Sequence, residues 1–279
     1  MNQNQSAIKV RPRHYTYDDE SNFQSYDSGN FVLTAEWNAL GLIIPTGERF
    51  FIRSVQELAS RAIDPELKQK ISAFIGQEAM HSKETKRSSE HLKNSGFPVD
   101  QFETWFDGLV RRFENSSPLN SLKLAATAGA EHYTAVLSLW HLKDRYCDKF
   151  SPSMRDLNQW HAAEELEHKA VAFDLLQTVS PRNYLLRAFG FIFGMLPLWL
   201  GYKKAMRLLL KHTGLTRAQI RAERQRARKI RIPLLSLGFP HLLAYLKPGF
   251  HPNDLDDGHL GEQILAEQAA RGAPKPALG

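Results

Sequence analysis

Four times in this 279-residue chain an Asp or Ser is followed directly by Pro: Asp64-Pro65, Ser117-Pro118, Ser151-Pro152 and Ser180-Pro181. An Asp or Ser at a helix N-cap accepts one of the orphan amide hydrogens, and Pro at the first helical position lacks the donor that would go unused there. Long helix-compatible stretches follow, with apolar residues at i, i+3 and i+4: Leu67, Ile71, Phe74 and Ile75 after the first pair, Leu122, Leu124, Ala125 and Ala128 after the second. No run of alternating β-branched residues competes. The spacing predicts an all-α chain with long helices A (33–62), B (65–94), C (118–146) and D (152–179), and a shorter crossover helix at 99–113. Pro45 and Gly47 predict a kink in helix A or a start near Pro45. Long helices joined by few connections suit a four-helix bundle. The expected organisation is an irregular leader (1–30), a bundle (31–180), a helical extension, apolar then basic (181–271), and a frayed tail (272–279).

Composition narrows the class. Hydrophobic residues make up 42% and charged residues 24%, ordinary for a globular protein and against wholesale disorder. The net charge of +6 is unevenly placed: residues 203–231 hold 11 basic groups against the single acid Glu223, a local +10. The other segments then carry 25 basic and 29 acidic groups, a balance of −4. The basic average therefore belongs to one segment and is no argument for nucleic-acid binding by the whole chain. A single cysteine, Cys147, excludes a disulfide framework and a zinc site built on two thiolates. Residues 1–6 are polar and lack the apolar core of a secretory signal. The longest uncharged apolar stretch, 188–202, is shorter than the roughly 18–20 residues of a spanning helix. The expectation is a cytoplasmic protein, peripheral on the inner membrane face where its basic segment engages lipid.

Carboxylates on apolar helix faces carry the chemistry. Glu78 and His81 on helix B, and Glu165 and His168 on helix D, are each three residues apart and so share a helix face. Helix C carries Glu131 within Ala128-Gly129-Ala130-Glu131-His132, and helix A carries Glu48 just before Phe50 and Phe51. The order Glu, Glu-x-x-His, Glu, Glu-x-x-His on four successive helices is the ligand pattern of di-iron and di-manganese carboxylate bundles. Anionic oxygens offset the repulsion between two divalent ions, and one imidazole completes each site. Without metal, four buried carboxylates would be strongly unfavourable or protonated. The expected ligands are Glu48, Glu78, His81, Glu131, Glu165 and His168, and the expected cofactor is two Fe ions, with Mn or Zn as alternatives.

Several of these stretches also resemble the bacterial family described as predicted metal-dependent hydrolase, of the ferritin-like group. The resemblance is carried by Pro45-Thr-Gly-Glu-Arg-Phe-Phe51, Asp64-Pro65, Phe74-Ile-Gly-Gln-Glu-Ala-Met-His81, Glu131-His-Tyr-Thr-Ala135, the run Trp160 to His168 with Ala172-Phe-Asp174, and Pro248-Gly-Phe-His-Pro252. It spans most of residues 40–255 and implies a ferritin-like fold and metal-dependent hydrolysis. The family pattern places a second His one turn after the first on helix B, where this chain has Thr85.

Other residues flank the expected ligands. His161 lies four residues before Glu165 on the same face, as a third imidazole or as an interior His bonded to a carbonyl. His132 is rotated ~100° from Glu131, which favours a hydrogen bond to a neighbouring helix over ligation. Glu164 and Glu167 flank the second pair as supporting or exposed groups, and Asp174 either orients an imidazole or forms an outer salt bridge. Nearby aromatics are mostly core, a few lining an apolar pocket. On the ligand set alone the expected activity is O2-dependent oxidation or oxygenation of a small apolar molecule by a di-iron site; the resemblance implies hydrolysis instead, and a non-catalytic, membrane-associated metal module is a further alternative. The expected partners are a small-molecule substrate, O2, an anionic membrane surface through 188–231 and a second copy as homodimer, with no nucleic acid.

Overall fold

The computed structural model describes residues 8–17, 25–117, 119–230, 238–257 and 259–272. Pro118, Arg231, residues 273–279 and parts of the leader, all used in the sequence reading, lie outside the described residues. The described residues are all-α, with no strand among them. The α-helices are α1 (Phe31–Gln56), α2 (Pro65–Asn94), α3 (Val99–Ser116), α4 (Asn120–Lys143), α5 (Pro152–His168), α6 (Val171–Val179), α7 (Tyr184–His212), α8 (Arg217–Ile230), α9 (Phe239–Ala244) and α10 (Leu260–Ala270).

Local chemistry accounts for some boundaries and corrects others. Asp64 caps α2 by accepting from the Glu66 amide, and Pro65 opens the helix. Pro152 also opens α5, but there the Ser151 side chain makes no cap hydrogen bond. The other two pairs do not start helices where expected. Ser117 ends α3, and α4 begins at Asn120 after Leu119. Ser180 ends α6, while Asn183 caps α7 by accepting from the Leu186 amide. Pro45 neither starts nor ends a helix, since α1 runs through it. Helix D is two helices, broken after His168 at Lys169-Ala170. At the break the buried Lys169 ammonium bonds the Leu255 carbonyl at 3.2 Å and pairs with Asp257.

Helix α4 is the centre of the packing, against α7, α5 and α6, and α1 packs on α2, α7 and α3. The α4–α7 approach is set by small residues. A Cβ built on Gly190 would lie 2.5 Å from the Ala125 carbonyl carbon, and one on Gly194 would lie 2.5 Å from the Ala126 Cβ. On an exposed helix a Gly→Ala change stabilises by about 1 kcal/mol. At Gly190 the sign reverses: we expect Gly190→Ala to destabilise by about 1–3 kcal/mol through overpacking, read as a lower urea midpoint at unchanged slope.

The leader is irregular over residues 8–17, yet Tyr15 and Tyr17 are buried. Tyr15 packs on Trp160 with ring centroids 5.9 Å apart, and its amide donates to Glu84 at 3.0 Å. This segment thus runs along α2 and α5, beside the place where their acidic faces meet.

Candidate metal centre

Helices α1, α2, α4 and α5 bring together the six side chains singled out by spacing, and His161 with them. Two groups result. Glu48, His81, His161 and Glu165 each offer one donor atom within 4.8 Å of the others, and Glu78, Glu131 and His168 do the same. Glu165 links the groups: one oxygen lies 3.1 Å from His161 Nε2 and the other 3.5 Å from His168 Nε2. The six expected ligands are at most 4% exposed. His161 stacks on His81 at 4.1 Å between centroids and also lies 3.3 Å from Glu48.

Hydrogen bonds at the far side of each imidazole orient its lone pair. Gln77 Nε2 donates to the Lys9 carbonyl and to Glu167, both at 2.9 Å, which turns its carbonyl oxygen to His168. His168 Nδ1 therefore donates to Gln77 Oε1 at 3.0 Å, leaving Nε2 as the inward atom. That Nε2 sits 3.0 Å from Glu78 and 3.2 Å from Glu131. His81 Nε2 donates to Glu164 at 3.0 Å, leaving Nδ1 facing Glu165 at 3.7 Å. A metal-binding imidazole characteristically gives its other N–H to a carboxylate or carbonyl in this way.

The electrostatics call for cations. Burial pushes the Glu78 carboxyl up to about 8, with Glu131 adding to the shift, and burial raises Glu131 to about 7. Glu48 is raised well above the usual range by burial and by Glu78, Glu165 and Glu131. For His168, burial alone favours the neutral ring, but the carboxylates of Glu131, Glu165 and Glu78 outweigh it and hold the pKa well above normal. Both oxygens of Glu48, Glu78 and Glu131, with His81 Nδ1 and His168 Nε2, are buried without a hydrogen-bond partner. An interior with so many orphaned donor atoms must bind protons or metal. Four carboxylates and three neutral imidazoles balance the charge of two divalent ions, so the residues present fit such a pair.

The remaining expected residues fall elsewhere. His132 is buried and bonds the His241 carbonyl of α9 at 2.9 Å. Asp174 pairs with His251 at 2.9 Å on the outer side, away from the two groups and their imidazoles. Thr85 is buried and its Cγ2 lies 3.9 Å from a Cβ built on Gly41 of α1. Phe50 and Phe51 line an apolar void of about 20 Å³ with Ala130, Gly194 and Pro197, room for about one water.

Sequence reasoning missed Arg11. Its guanidinium bonds Glu164 at 3.0 Å and Glu167 at 2.7 and 2.9 Å. Those two carboxylates accept from His81 and Gln77, so one arginine supports both histidine arms. Its 153-residue separation from Glu164 leaves no periodic signal.

Comparison with known proteins points to a metal-dependent family. No curated protein and no solved structure matches the chain. A family model matches nearly its whole length, and the chain, over residues 10–256, belongs to the family described as predicted metal-dependent hydrolase.

Proposed function

We propose that this chain is a dinuclear metalloenzyme, with Glu48, His81, His161 and Glu165 holding one divalent ion and Glu78, Glu131 and His168 the other, Glu165 lying between. One observation carries the reading: seven buried or half-buried donors from four helices converge in two adjoining groups. The family membership supports metal-dependent hydrolysis as the reaction. When bound, a metal pair supplies either an activated water and charge neutralisation for hydrolysis, or electrons for O2 chemistry. The chain's residues hold the donors in place: Glu164 fixes the His81 ring, and Gln77 fixes the His168 ring. His161, with 15% of its side chain exposed, is the most accessible of the seven and marks the side from which water or substrate reaches the centre.

A second reading, O2-dependent oxidation of a small apolar molecule by two irons, is favoured by the paired Glu-x-x-His set. One preparation separates the two. Protein from cells supplied with iron, manganese and zinc should carry two metal equivalents per chain by elemental analysis; one or none overturns the dinuclear centre. Cleavage of a panel of nitrophenyl esters that needs metal and ignores O2 supports hydrolysis. An O2-dependent absorption change after anaerobic reduction, without cleavage, supports oxidation.

A further inference from the structure

We propose that the outer face of α7 and the cleft between α7 and α8 dock the protein on an anionic phospholipid bilayer, the helix lying in the plane of the surface. This inference is independent of the metal centre.

The argument begins with the two faces of α7. At 100° per residue, Leu185, Phe189, Ile192, Phe193, Leu196 and Trp199 fall within an arc of about 120°. These side chains are 46–76% exposed. Gly190, Pro197, Gly201, Ala205 and Leu209 lie on the opposite side and are buried. By length and composition α7 is the one candidate membrane span among the described residues, with an 18-residue window of mean hydropathy 1.4. Its glycine face, however, is seated on α4, with no space for a Cβ at Gly190 or Gly194. A helix so fixed to the body presents its other face to a bilayer without crossing it. Contiguous exposed apolar surface of this kind marks an interaction site.

The same arc continues into charge. Lys203, Arg207 and Lys211 follow Trp199 on that face. Arg207 and Lys211, with Arg217, Arg221, Arg224 and Arg228, line a concave cleft of about 1050 Å³ between α7 and α8. None of these six cations pairs with a carboxylate among the described residues. Glu223, the one acid of α8, is committed to Arg226 at 2.6 Å and to the Phe31 amide at 3.0 Å. Like-charged side chains line the cleft with no carboxylate paired to them among the described residues, and the complement of such a surface is a multivalent anion. An apolar stripe beside a cationic cleft matches acyl chains beside phosphate headgroups.

Charge selects among occupants. Helix α7 contains no Asp or Glu, so the same face of a second copy could cover the apolar stripe but would bring only further cations to the cleft. A nucleic acid would satisfy the cleft but leave the six apolar side chains unused.

The test is flotation of the full chain at low salt with vesicles of phosphatidylcholine, alone or mixed with phosphatidylglycerol. The protein should float only with the anionic vesicles. Reversing three charges in Arg221→Glu/Arg224→Glu/Arg228→Glu should weaken partitioning at least ~100-fold, at about 1 kcal/mol per basic residue. Phe189→Ser/Phe193→Ser/Trp199→Ser should also lose flotation while its circular dichroism and melting temperature stay those of the parent. The changed side chains are exposed in both variants. Absence of flotation with anionic vesicles overturns the proposal, as does flotation unaltered in either variant. So does a dimer by light scattering that the serine variant dissociates without any vesicle binding, or an oligonucleotide that binds the same arginines more tightly than the vesicles do.

Discussion

A Glu78→Gln chain should melt higher than the parent when both are stripped of metal, and lower when both are supplied with it. The reversal follows from the position of Glu78, fully buried among Glu131, Glu165 and His168. Without metal, ionising these carboxylates costs desolvation and mutual repulsion, and replacing one with a neutral isostere removes part of both. With metal, the same carboxylate is a donor, and its loss removes linkage stabilisation worth about 2.7 kcal/mol when free metal is 100 times the dissociation constant. The His168→Ala chain should likewise lose stoichiometric metal, because its Nε2 is the only imidazole donor of its group. Melting curves with and without a chelator, together with elemental analysis, check both variants. Two equivalents retained by either would refute the ligand assignment, and a Glu78→Gln chain less stable than its parent in both conditions would refute the electrostatic account.

The second large effect concerns Arg11→Ala, at a residue outside both donor groups. The change removes the guanidinium from Glu164, whose side chain is fully buried, and from Glu167. We expect a loss of about 2–3 kcal/mol in stability, below the full cost of breaking a buried pair because the Arg11 side chain is partly solvated. Glu164 would then more readily take a proton and become a poorer acceptor for His81 Nε2–H, while Gln77 would lose the carboxylate that holds its amide. Loosening partners of ligating side chains typically costs 10–100-fold in metal affinity, and we expect a fall of about that size, measured against a competing chelator. Arg11→Lys keeps the charge but not the forked geometry, and should recover stability more than metal affinity. Unchanged affinity in the alanine chain would show that the segment bearing Arg11 plays no part in the centre.

Six of the seven clustered side chains were legible because their information is local. Glu78 and His81, or Glu165 and His168, need only a helix for their spacing to bring them to one face. Glu48 and Glu131 stood out because a carboxylate beside Phe50 and Phe51, or among Ala128, Gly129 and Ala130, has no reason to be there on burial grounds. Helix ends were less legible. Ser117 and Ser180 are good N-caps by chemistry, yet each closes the preceding helix. Cap propensity is worth only about 1 kcal/mol, and packing can shift a boundary by a few residues for that.

By itself, then, the sequence determined the helical class, the long helical segments and six of the seven acidic and imidazole side chains that the structure brings together, since each follows from residue identity and helical spacing. Only the tertiary structure decided which groups orient those donors and what faces outward. Arg11 reaches Glu164 across 153 residues, His161 stacks on His81 from another helix, and the apolar stripe of α7 is exposed because glycines on its other face seat it on α4. Contacts between distant segments depend on how whole helices pack, and no local period in the chain records them.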